Sequence, residues 1–531
     1  MAEYKFSVHV GVLAVVLFFL CSCSTVWNSY TNVQDLCAGK IVIKEKVDLR
    51  GRTINLPEGC TLVFKKRGLI SNGSIIGADT HIEYNGTCFD NVTIQGTWKV
   101  PVIRSDMFLT YEKTSLTNLF KLQNALIKNK IYVAPGTYFV NSNDQRAGLP
   151  LTSNTTLYLD GDIVLEEQTN SQFYNGYYII SINRAENVSV MGNGTIEGDL
   201  GRSNFKPGYG NGICVYESKN VSIDGLSIKN VQGDGMALST GNANVLVNNV
   251  TIDHYYRNGI SVIDGHDIRI NNVSVMNGGL SDPYAAIDVE PNEGGNIYNV
   301  HINNITIENC VVGISGYVPQ NAQVTKVRYN GVKMNGVSKC CFYTSNFTDL
   351  EIHNALVENV GDDAEIMRFL ENHALLLSHV KIDAGNNKAK YPFYLSNDDL
   401  RIENCSFNCP QLFSWHLSDA QFVNTSFKFD SFIWTAANIS SNNISFDNCT
   451  FDGPLFMRPN NVSFTKSLFR NSHSSHKYLV RFEDSKNLDG DYSGVSMKNN
   501  TFETSGNVTE SSAVECTMKK NCITKSNYKR R

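Results

Sequence analysis

The sequence predicts an all-β fold, a right-handed parallel β-helix, and two observations carry that prediction. A short unit recurs from Asn220, Asn244, Asp267 and Asn299, so its steps are 24, 23 and 32 residues. Each copy alternates apolar and polar residues around an Asn or Gly corner, as two short strands joined by a tight turn do. Units this small cannot bury a face alone, so they must stack as a solenoid with coils about 4.8 Å apart.

Composition supports a large folded chain and excludes two other classes of protein. Of the 531 residues, 42% are hydrophobic and 18% are charged, and there are 27 Phe and 24 Tyr. A disordered chain would be richer in charge and poorer in aromatic residues. The net charge of −5 provides no basic field for nucleic acid, which is therefore not an expected partner.

Residues 1–23 resemble the signal peptide of a bacterial lipoprotein. The apolar run from Val8 to Leu20 is too short to span a bilayer comfortably and is typical of a signal-peptide core. The run ends in Leu-Cys-Ser-Cys, which resembles the lipoprotein box with Cys23 as the lipidated residue. We therefore expect an exported protein anchored to a membrane by lipid, at the outer membrane or cell surface or on the periplasmic side. The alternative is an ordinary secretory signal.

The rest of the chain divides into three parts. Residues 24–105 contain small strand-like repeats and form a predicted N-terminal β-rich module. Residues 106–524 form the predicted β-helix, which begins with an amphipathic helix at 118–126 that covers its open end. Residues 525–531 are a basic tail that we expect to be loose.

Two carboxylates interrupt the repeat in the coil that has the 32-residue step. Alignment of the strands that precede the Asn corners places Ile287 and Val289 in inward apolar columns, so Asp288 and Glu290 face outward. Neighbouring coils carry small, neutral or aromatic residues at these positions, and the two acids lie about 6.6–7 Å apart along the strand. The insertion 278–284 stands beside them as a candidate functional loop. The alternative is a pair of solvated surface acids.

The preceding coil supplies residue types suited to proton transfer, His254, Tyr255, Tyr256 and Arg257, just before its outward strand. Stacking is expected to place them one layer from the carboxylate pair. Either tyrosine is as readily explained by packing against the solenoid. Further candidate substrate contacts are Arg202, Lys206, Asp234 and His266. Asp234 has the alternative interpretation of a turn aspartate.

The coil pattern, the Pro-Gly-Thr-Tyr sequence before the first coil and the segment Ala-Ile-Asp-Val-Glu-Pro-Asn at 286–292 together resemble the pectate-lyase superfamily of carbohydrate-active enzymes. The resemblance implies a substrate groove along one outer sheet, with catalysis near the middle of the helix. It places the chain nearest to bacterial lipoprotein polysaccharide lyases acting on uronate polymers, such as the glycosaminoglycans chondroitin sulfate and hyaluronan. The Asn-Thr-Asp and Gly-His-Gly motifs of polygalacturonases are missing, and the pectate-lyase calcium cluster is not recognisable.

A lyase of this kind would cleave by β-elimination. Arg257 is then the expected neutraliser of the uronate carboxylate or, alternatively, the base. His254 or one of the two adjacent tyrosines would remove the proton and protonate the leaving oxygen. Asp288 and Glu290 would orient these groups or hold Ca²⁺, which prefers carboxylate oxygens. The expected partner is an acidic polysaccharide, and the expected oligomeric state is a monomer.

Three other functions stay open at this point. A polygalacturonase-like hydrolase would use Asp288 and Glu290 directly, because carboxyl groups about 6.5–9.5 Å apart suit inverting hydrolysis. A uronate epimerase would share the proton-abstraction chemistry of a lyase. A non-catalytic glycan-binding solenoid would repeat exposed aromatic residues over many coils, whereas the unusual residues here concentrate in two adjacent coils.

Overall fold

The computed structural model describes residues 24–530 except for a set of short segments. These are 32, 110–114, 141–146, 167–176, 203–207, 209, 390–391, 413, 433–442, 458–460, 473–477, 483–494, 505–513 and 517–521. The predicted signal peptide with Cys23, and also Lys206, lie outside the described residues. The chain forms two compact units, one ending at Lys99 and one beginning at Val100. The sequence interpretation placed this boundary after residue 105.

The first unit is built from short parallel strands. They are Ser24–Trp27, Lys40–Ile43, Lys46–Asp48, Thr53–Asn55, Thr61–Phe64, Leu69–Glu83 and Phe89–Trp98, with a 3-10 turn at Val33–Asp35. Every pairing between them is parallel within the described residues. Trp98 is fully buried, and its indole Nε1 donates a hydrogen bond to the Gln95 carbonyl at 2.9 Å.

The second unit opens with the strand Val102–Arg104, which is followed by a 3-10 turn, Ser105–Met107, and a short α-helix, Ser115–Phe120. The helix begins and ends earlier than the predicted range of 118–126. Its buried side chains include Leu119 and Phe120, and it packs on the first coil of the solenoid. Within the described part of the chain, no helix is both long enough and apolar enough to cross a bilayer.

The solenoid consists of three ladders of parallel strands, because most strands pair with the strand three places further along the chain. Ladder A contains Val102–Arg104, Asn129–Val133, Thr155–Leu159, Glu186–Gly192, Lys219–Asp224, Asn242–Asn248, Thr348–His353, Gln421–Val423, Ile444–Asp447 and Val462–Thr465. Ladder B contains Thr137–Val140, Asp162–Leu165, Thr195–Glu197, Ser227–Val231, Thr251–Tyr255, Leu356–Glu358, Lys381–Asp383, Ser406–Asn408, Ser426–Lys428, Thr450–Asp452 and Leu468–Arg470. Ladder C contains Ala147–Leu151, Tyr178–Asn183, Asn211–Tyr216, Met236–Leu238, Ile260–Val262, Ala285–Val289, Val312–Tyr317, Cys340–Ser345 and Ser414–Ser418.

Longer strands turn a corner and so belong to two ladders. Those shared by ladders A and B are Gly265–Met276, Asn296–Glu308, Gln323–Asn335, Val495–Thr504 and Cys522–Arg530, and those shared by C and A are Glu365–Ser378 and Phe393–Glu403. Short strands outside the ladders are Gln411–Leu412, Ser431–Phe432, Leu455–Met457, Val480–Phe482 and Val514–Cys516. This all-β architecture confirms the predicted parallel β-helix. Residues 525–530, expected to be a loose tail, lie in the last of the strands that belong to both A and B.

The interior changes from aliphatic to aromatic along the solenoid. In the central coils, inward Ile and Val side chains are fully buried. In the C-terminal coils, two columns of stacked phenylalanines replace them, with ring centroids 4.6–5.2 Å apart. These are Phe422, Phe446 and Phe464 in one column and Phe427, Phe451, Phe469 and Phe502 in the other. Stacked aromatic pairs add about 0.5–1.5 kcal/mol beyond their burial.

The corners of ladder A are held by asparagine side chains in the left-handed backbone region. Asn220 and Asn244 both have φ of 54°, a conformation that Asn tolerates better than most residues. The Asn244 amide donates to the Asn220 side-chain oxygen at 2.8 Å, and Asn220 donates to Asn187 at 3.1 Å. The repeated asparagines are therefore corner residues bonded along the stack.

Candidate active site

A cleft of about 610 Å³ opens on ladder C across five successive coils. The turn 278–284, predicted as an insertion beside the carboxylates, forms one side of it. The polar and aromatic residues that line it are Arg257, Ser261, Asp282, Tyr284, Asp288, Glu290, Asn292, Ser315, Tyr317, Tyr343, Glu365 and Arg368.

Strand alternation places Asp288 in the cleft. Ile287 and Val289 are fully buried in the interior, so the side chain between them points outward, in register with Ser261 and Ser315. The predicted columns are therefore confirmed. The alternative interpretation, a pair of solvated surface acids, does not hold for Asp288, which is only 5% exposed.

A network of short side chains holds Asp288 from behind. The Asn258 side-chain amide donates to Asp288 Oδ2 at 3.1 Å and to Ser261 Oγ at 3.0 Å. The Ser261 hydroxyl in turn donates to Asp234 Oδ2 at 2.9 Å. Arg257 Nε lies 3.6 Å from Asp234 Oδ1. The second carboxyl oxygen of Asp288, Oδ1, is buried and accepts no hydrogen bond from the described residues.

Asp234 was predicted to contact substrate, and the structure contradicts that role. Its side chain is 2% exposed, and both of its oxygens face the network. Burial raises the pKa of this carboxyl, while Arg257, the Ser261 hydroxyl and the Asn258 backbone N–H oppose the shift. Asp234 therefore fixes the strand that supports Asp288 and does not reach a ligand.

The surroundings of Asp288 favour its protonated form. Burial raises the pKa of this carboxyl well above its usual range, and the negative charges of Glu290 and Asp234 add to the effect. Arg257 and the Ser315 hydroxyl act in the opposite direction. A carboxylic acid kept neutral in this way can donate a proton.

Glu290 lies in a more open environment than Asp288. It is half-buried directly after the strand, and burial raises its pKa, followed by the charge of Asp282 on the insertion. Arg257 lowers the pKa of Glu290. The two carboxyl groups thus differ in solvent exposure and in their tendency to ionise.

Three residues that the sequence analysis missed line the other end of the cleft. Tyr343 and Arg368 continue the outward column of Ser315 over the next two coils, and Glu365 lies 3.2 Å from Arg368 Nη1. The Arg368 guanidinium lies 5.9 Å from the ring centroids of both Tyr343 and Tyr394. Burial raises the pKa of Tyr343, and Arg368 lowers it. The signal was available, because the strand repeat extends past Tyr317, where the alignment stopped.

Tyr255 and His254 do not belong to the cleft. Tyr255 is fully buried inside the solenoid, where its hydroxyl donates to Cys310 Sγ at 3.1 Å. His254 is exposed on ladder B, with Nδ1 2.7 Å from Asp253 Oδ1. Its φ of 55° interrupts the alternation and turns the next side chain inward. The predicted catalytic role of Tyr255 is therefore wrong, and His254 does not line the site.

Of the remaining predicted residues, one supports the insertion beside the cleft and two lie away from the cleft. The Tyr256 carbonyl accepts hydrogen bonds from the Leu280 and Ser281 amides at 2.8 and 2.9 Å, so this residue anchors the insertion. His266 lies on ladder A, paired with Asp267. Arg202 donates to the Leu165 and Gly198 carbonyls. Neither His266 nor Arg202 lines the cleft.

The carboxylate pair does not fit a Ca²⁺ site. Ca²⁺ takes six to eight oxygen ligands. Asp288 Oδ2 already accepts from Asn258, and Arg257 supplies positive charge beside both acids. Across the described residues, no group of three or more His, Cys, Asp or Glu side chains is arranged to hold a metal ion.

Comparison with known proteins finds likeness over part of the chain. No family model matches. The chain is 21% identical over 207 residues to the uncharacterized protein YclG and 28% identical over 199 residues to the prophage-derived uncharacterized protein YorA, both of Bacillus subtilis strain 168. It covers 35% and 33% of these relatives, about a third of their length.

Among solved structures, the chain is similar to the tailspike protein of E. coli bacteriophage HK620 in complex with a pentasaccharide. The TM-score is 0.45 at 11% identity, over 73% of this chain and 71% of the tailspike chain. A mutant of the same tailspike, in complex with a hexasaccharide, also has a TM-score of 0.45 at 11% identity.

Proposed function

We propose that this protein is a glycoside hydrolase that cleaves a polysaccharide in the ladder C cleft. The observation that carries the proposal is the pair Asp288 and Glu290, one carboxyl group on a strand and one directly after it, in different surroundings. Burial, followed by the charges of Glu290 and Asp234, raises the pKa of Asp288 well above its usual range, while Glu290 is half-exposed. Paired carboxyl groups whose environments separate their pKa values are the usual acid and base of glycoside hydrolysis.

The geometry suits an inverting reaction. Alternate side chains leave an extended backbone about 6.6–7 Å apart, so their carboxyl groups can adopt the separation of about 6.5–9.5 Å that leaves room for a water molecule. Asp288 would give its proton to the glycosidic oxygen as the bond from that oxygen to the anomeric carbon breaks. Glu290 would take a proton from the water whose oxygen bonds to the same carbon. The network from Asn258 to Asp234 would hold the acid in position.

Aromatic side chains would bind the sugar rings. Tyr317 is 43% exposed at the edge of the cleft, and Tyr343 lies half-buried within it. An exported lipoprotein anchored through Cys23, as the sequence predicts, would meet polysaccharides at the outer membrane or cell surface.

β-Elimination is the second candidate, and one observation favours it. Tyr343 and Arg368 lie together in the cleft, and they are the residue types of a proton-abstracting base and a carboxylate neutraliser. The residues first assigned to proton abstraction do not support it, since Tyr255 is sealed in the interior and His254 faces ladder B.

The type of product tests the proposal. The protein lacking residues 1–23 is incubated with neutral polysaccharides and with chondroitin sulfate, hyaluronan, alginate and pectate. We expect new reducing ends without the ultraviolet absorbance of an unsaturated uronate. Glu290→Gln should lower kcat about 10²–10⁴-fold. Glu351→Gln, the same change on ladder A outside the cleft, should leave kcat unchanged. Unsaturated products, or full activity of a folded Glu290→Gln variant, would contradict hydrolysis by this pair.

A further inference from the structure

A second cleft, of about 690 Å³, lies beyond the candidate active site along the solenoid. We call it the distal cleft, and it is formed by the ends of four successive ladder B strands and the turns that follow them. Its lining residues run from Glu358 to Asp430 and contribute four asparagines, three acids and one lysine. None of the lining residues of the first cleft is shared with it.

A column of polar side chains runs along the distal cleft. Glu358, Asp383, Asn408 and Lys428 occupy the same position on successive strands, in register with one another. The strand spacing separates neighbours by about 4.8 Å. The Asn408 amide donates to Asp383 Oδ1 at 2.8 Å, so the column is partly ordered before any ligand binds. Amide and carboxylate groups repeated at this spacing can bond the hydroxyl groups of successive sugar units.

Apolar surface lies beside this column. Val360, Pro410 and Phe429 also line the distal cleft, although Phe429 is largely buried. A pyranose ring has a hydroxyl-bearing edge and an apolar face, and it is complementary to such a mixed surface. Three acids against one lysine make the distal cleft unfavourable for a polyanion.

The two clefts adjoin on one coil. Glu358 and Val360 line the distal cleft, and Glu365 and Arg368, after the short turn that follows, line the first one. The centres of the clefts are three to four coils apart, which corresponds to about 15–20 Å along the axis. A linear chain lying along the solenoid would therefore pass through both.

We infer that the distal cleft is a binding subsite for a neutral, linear polysaccharide, which it holds at a distance from the point of cleavage. The inference rests on the proposed function, because it takes the same polymer to be the substrate of Asp288 and Glu290. It narrows the substrate class from polysaccharides in general to those without dense negative charge.

The test measures binding separately from cleavage. A Glu290→Gln protein lacking residues 1–23 is run by native electrophoresis through gels containing xylan, glucomannan, β-glucan, chondroitin sulfate or pectate. We expect retardation by a neutral polymer, weakened several-fold by Asp383→Ala combined with Asn408→Ala. The milder Asp383→Asn change should weaken it less, and the melting temperature of each variant confirms folding. Asp398→Ala, an exposed acid on ladder A, is the matched control and should change nothing.

The outcomes separate the two proposals. Retardation that is unchanged by the Asp383 and Asn408 substitutions, or strongest with the acidic polymers, would overturn the distal subsite while reducing-end release still supports hydrolysis. Retardation of the Glu290→Gln protein that depends on Asp383 would support the subsite. If the protein that retains Glu290 then released no product from the same polymer, the proposed hydrolase would be overturned. Retardation by none of the five polymers would overturn the subsite.

Discussion

The corners of ladder A and the cleft of ladder C both carry polar side chains on the outside of the solenoid, but these side chains are hydrogen-bonded in different ways. At the corners the same residue recurs, and Asn187, Asn220 and Asn244 bond one another across successive coils. At the cleft the outward column has Asp288 between two serines and then Tyr343 and Arg368. Asp288 also keeps one buried oxygen without a hydrogen bond from the described residues. The comparison teaches that repeated residues stabilise the stack, and that the candidate active site lies where the sequence departs from the repeat.

The two regions also differ in the charge of their polar side chains. The asparagine corners are neutral, so stacking them costs no electrostatic free energy. Asp234 and Asp288 are buried acids whose pKa values are raised mainly by burial, so ionising them in the folded protein is unfavourable. Strands on either side, paired in register, hold the coil in place despite this cost.

Substitution of a stacked phenylalanine in the interior should have the largest effect on the stability of the protein. Phe446 is stacked between Phe422 and Phe464, with centroid distances of 4.6 and 4.8 Å. Phe446→Ala should lower the free energy of unfolding by about 3–5 kcal/mol, because it leaves a cavity that the rigid ladder cannot fill. Denaturant titration followed by circular dichroism measures the loss. Phe139→Ala, at a site 42% exposed, is the control and should cost far less; equal losses would refute the packing argument.

The sequence predicted what repeats and failed where the repeat is interrupted. The inward positions of Ile287 and Val289 follow from alternation alone, and so does the shared outward side of Asp288 and Glu290. The inward turn of Tyr255 does not, because it depends on the left-handed backbone of His254. The depth of burial of Asp288 was also beyond reach, since it depends on side chains from other coils. Arg368, by contrast, could have been found by continuing the alignment.

Because burial disfavours ionisation of Asp288, the stability of the protein should depend on pH. Below the ordinary pKa of an aspartate, about 3.9, Asp288 is protonated in both the folded and the unfolded chain and has no effect. Above that value the unfolded chain ionises while the folded carboxyl keeps its proton, so stability falls as pH rises toward the raised pKa. Asp288→Asn should therefore raise the melting temperature by a few degrees at pH 7 and not at pH 3.

Melting scans of the Asp288→Asn and unmodified proteins from pH 3 to pH 8 check this. The Asn292→Ala variant, which changes a neutral residue of the same cleft, serves as the control and should shift the melting temperature by the same amount at every pH. A melting difference for Asp288→Asn that is the same at both ends of the range would show that the carboxyl titrates normally.

Substitution of a single corner asparagine should have the smallest effect on the stability of the protein. Asn220→Ala removes hydrogen bonds to two coils and leaves a residue that tolerates the left-handed region less well than asparagine, at a cost of about 1–2 kcal/mol. Asn220→Gly removes the same hydrogen bonds without that steric penalty, so it should lie between the alanine variant and the unmodified protein in unfolding experiments. A glycine variant less stable than the alanine variant would mean that backbone conformation is not the source of the asparagine preference.

The long turn 278–284 has a consequence for how a solenoid of this kind changes its specificity. The strand that follows it keeps its register with both neighbours, although the equivalent turn in the preceding coil, 256–259, is much shorter. Backbone pairing alone sets the spacing of the coils, so turns can lengthen or shorten without disturbing it. Descendants of one ancestral chain can therefore acquire new ligands by insertion and deletion at this edge while their strands stay alike.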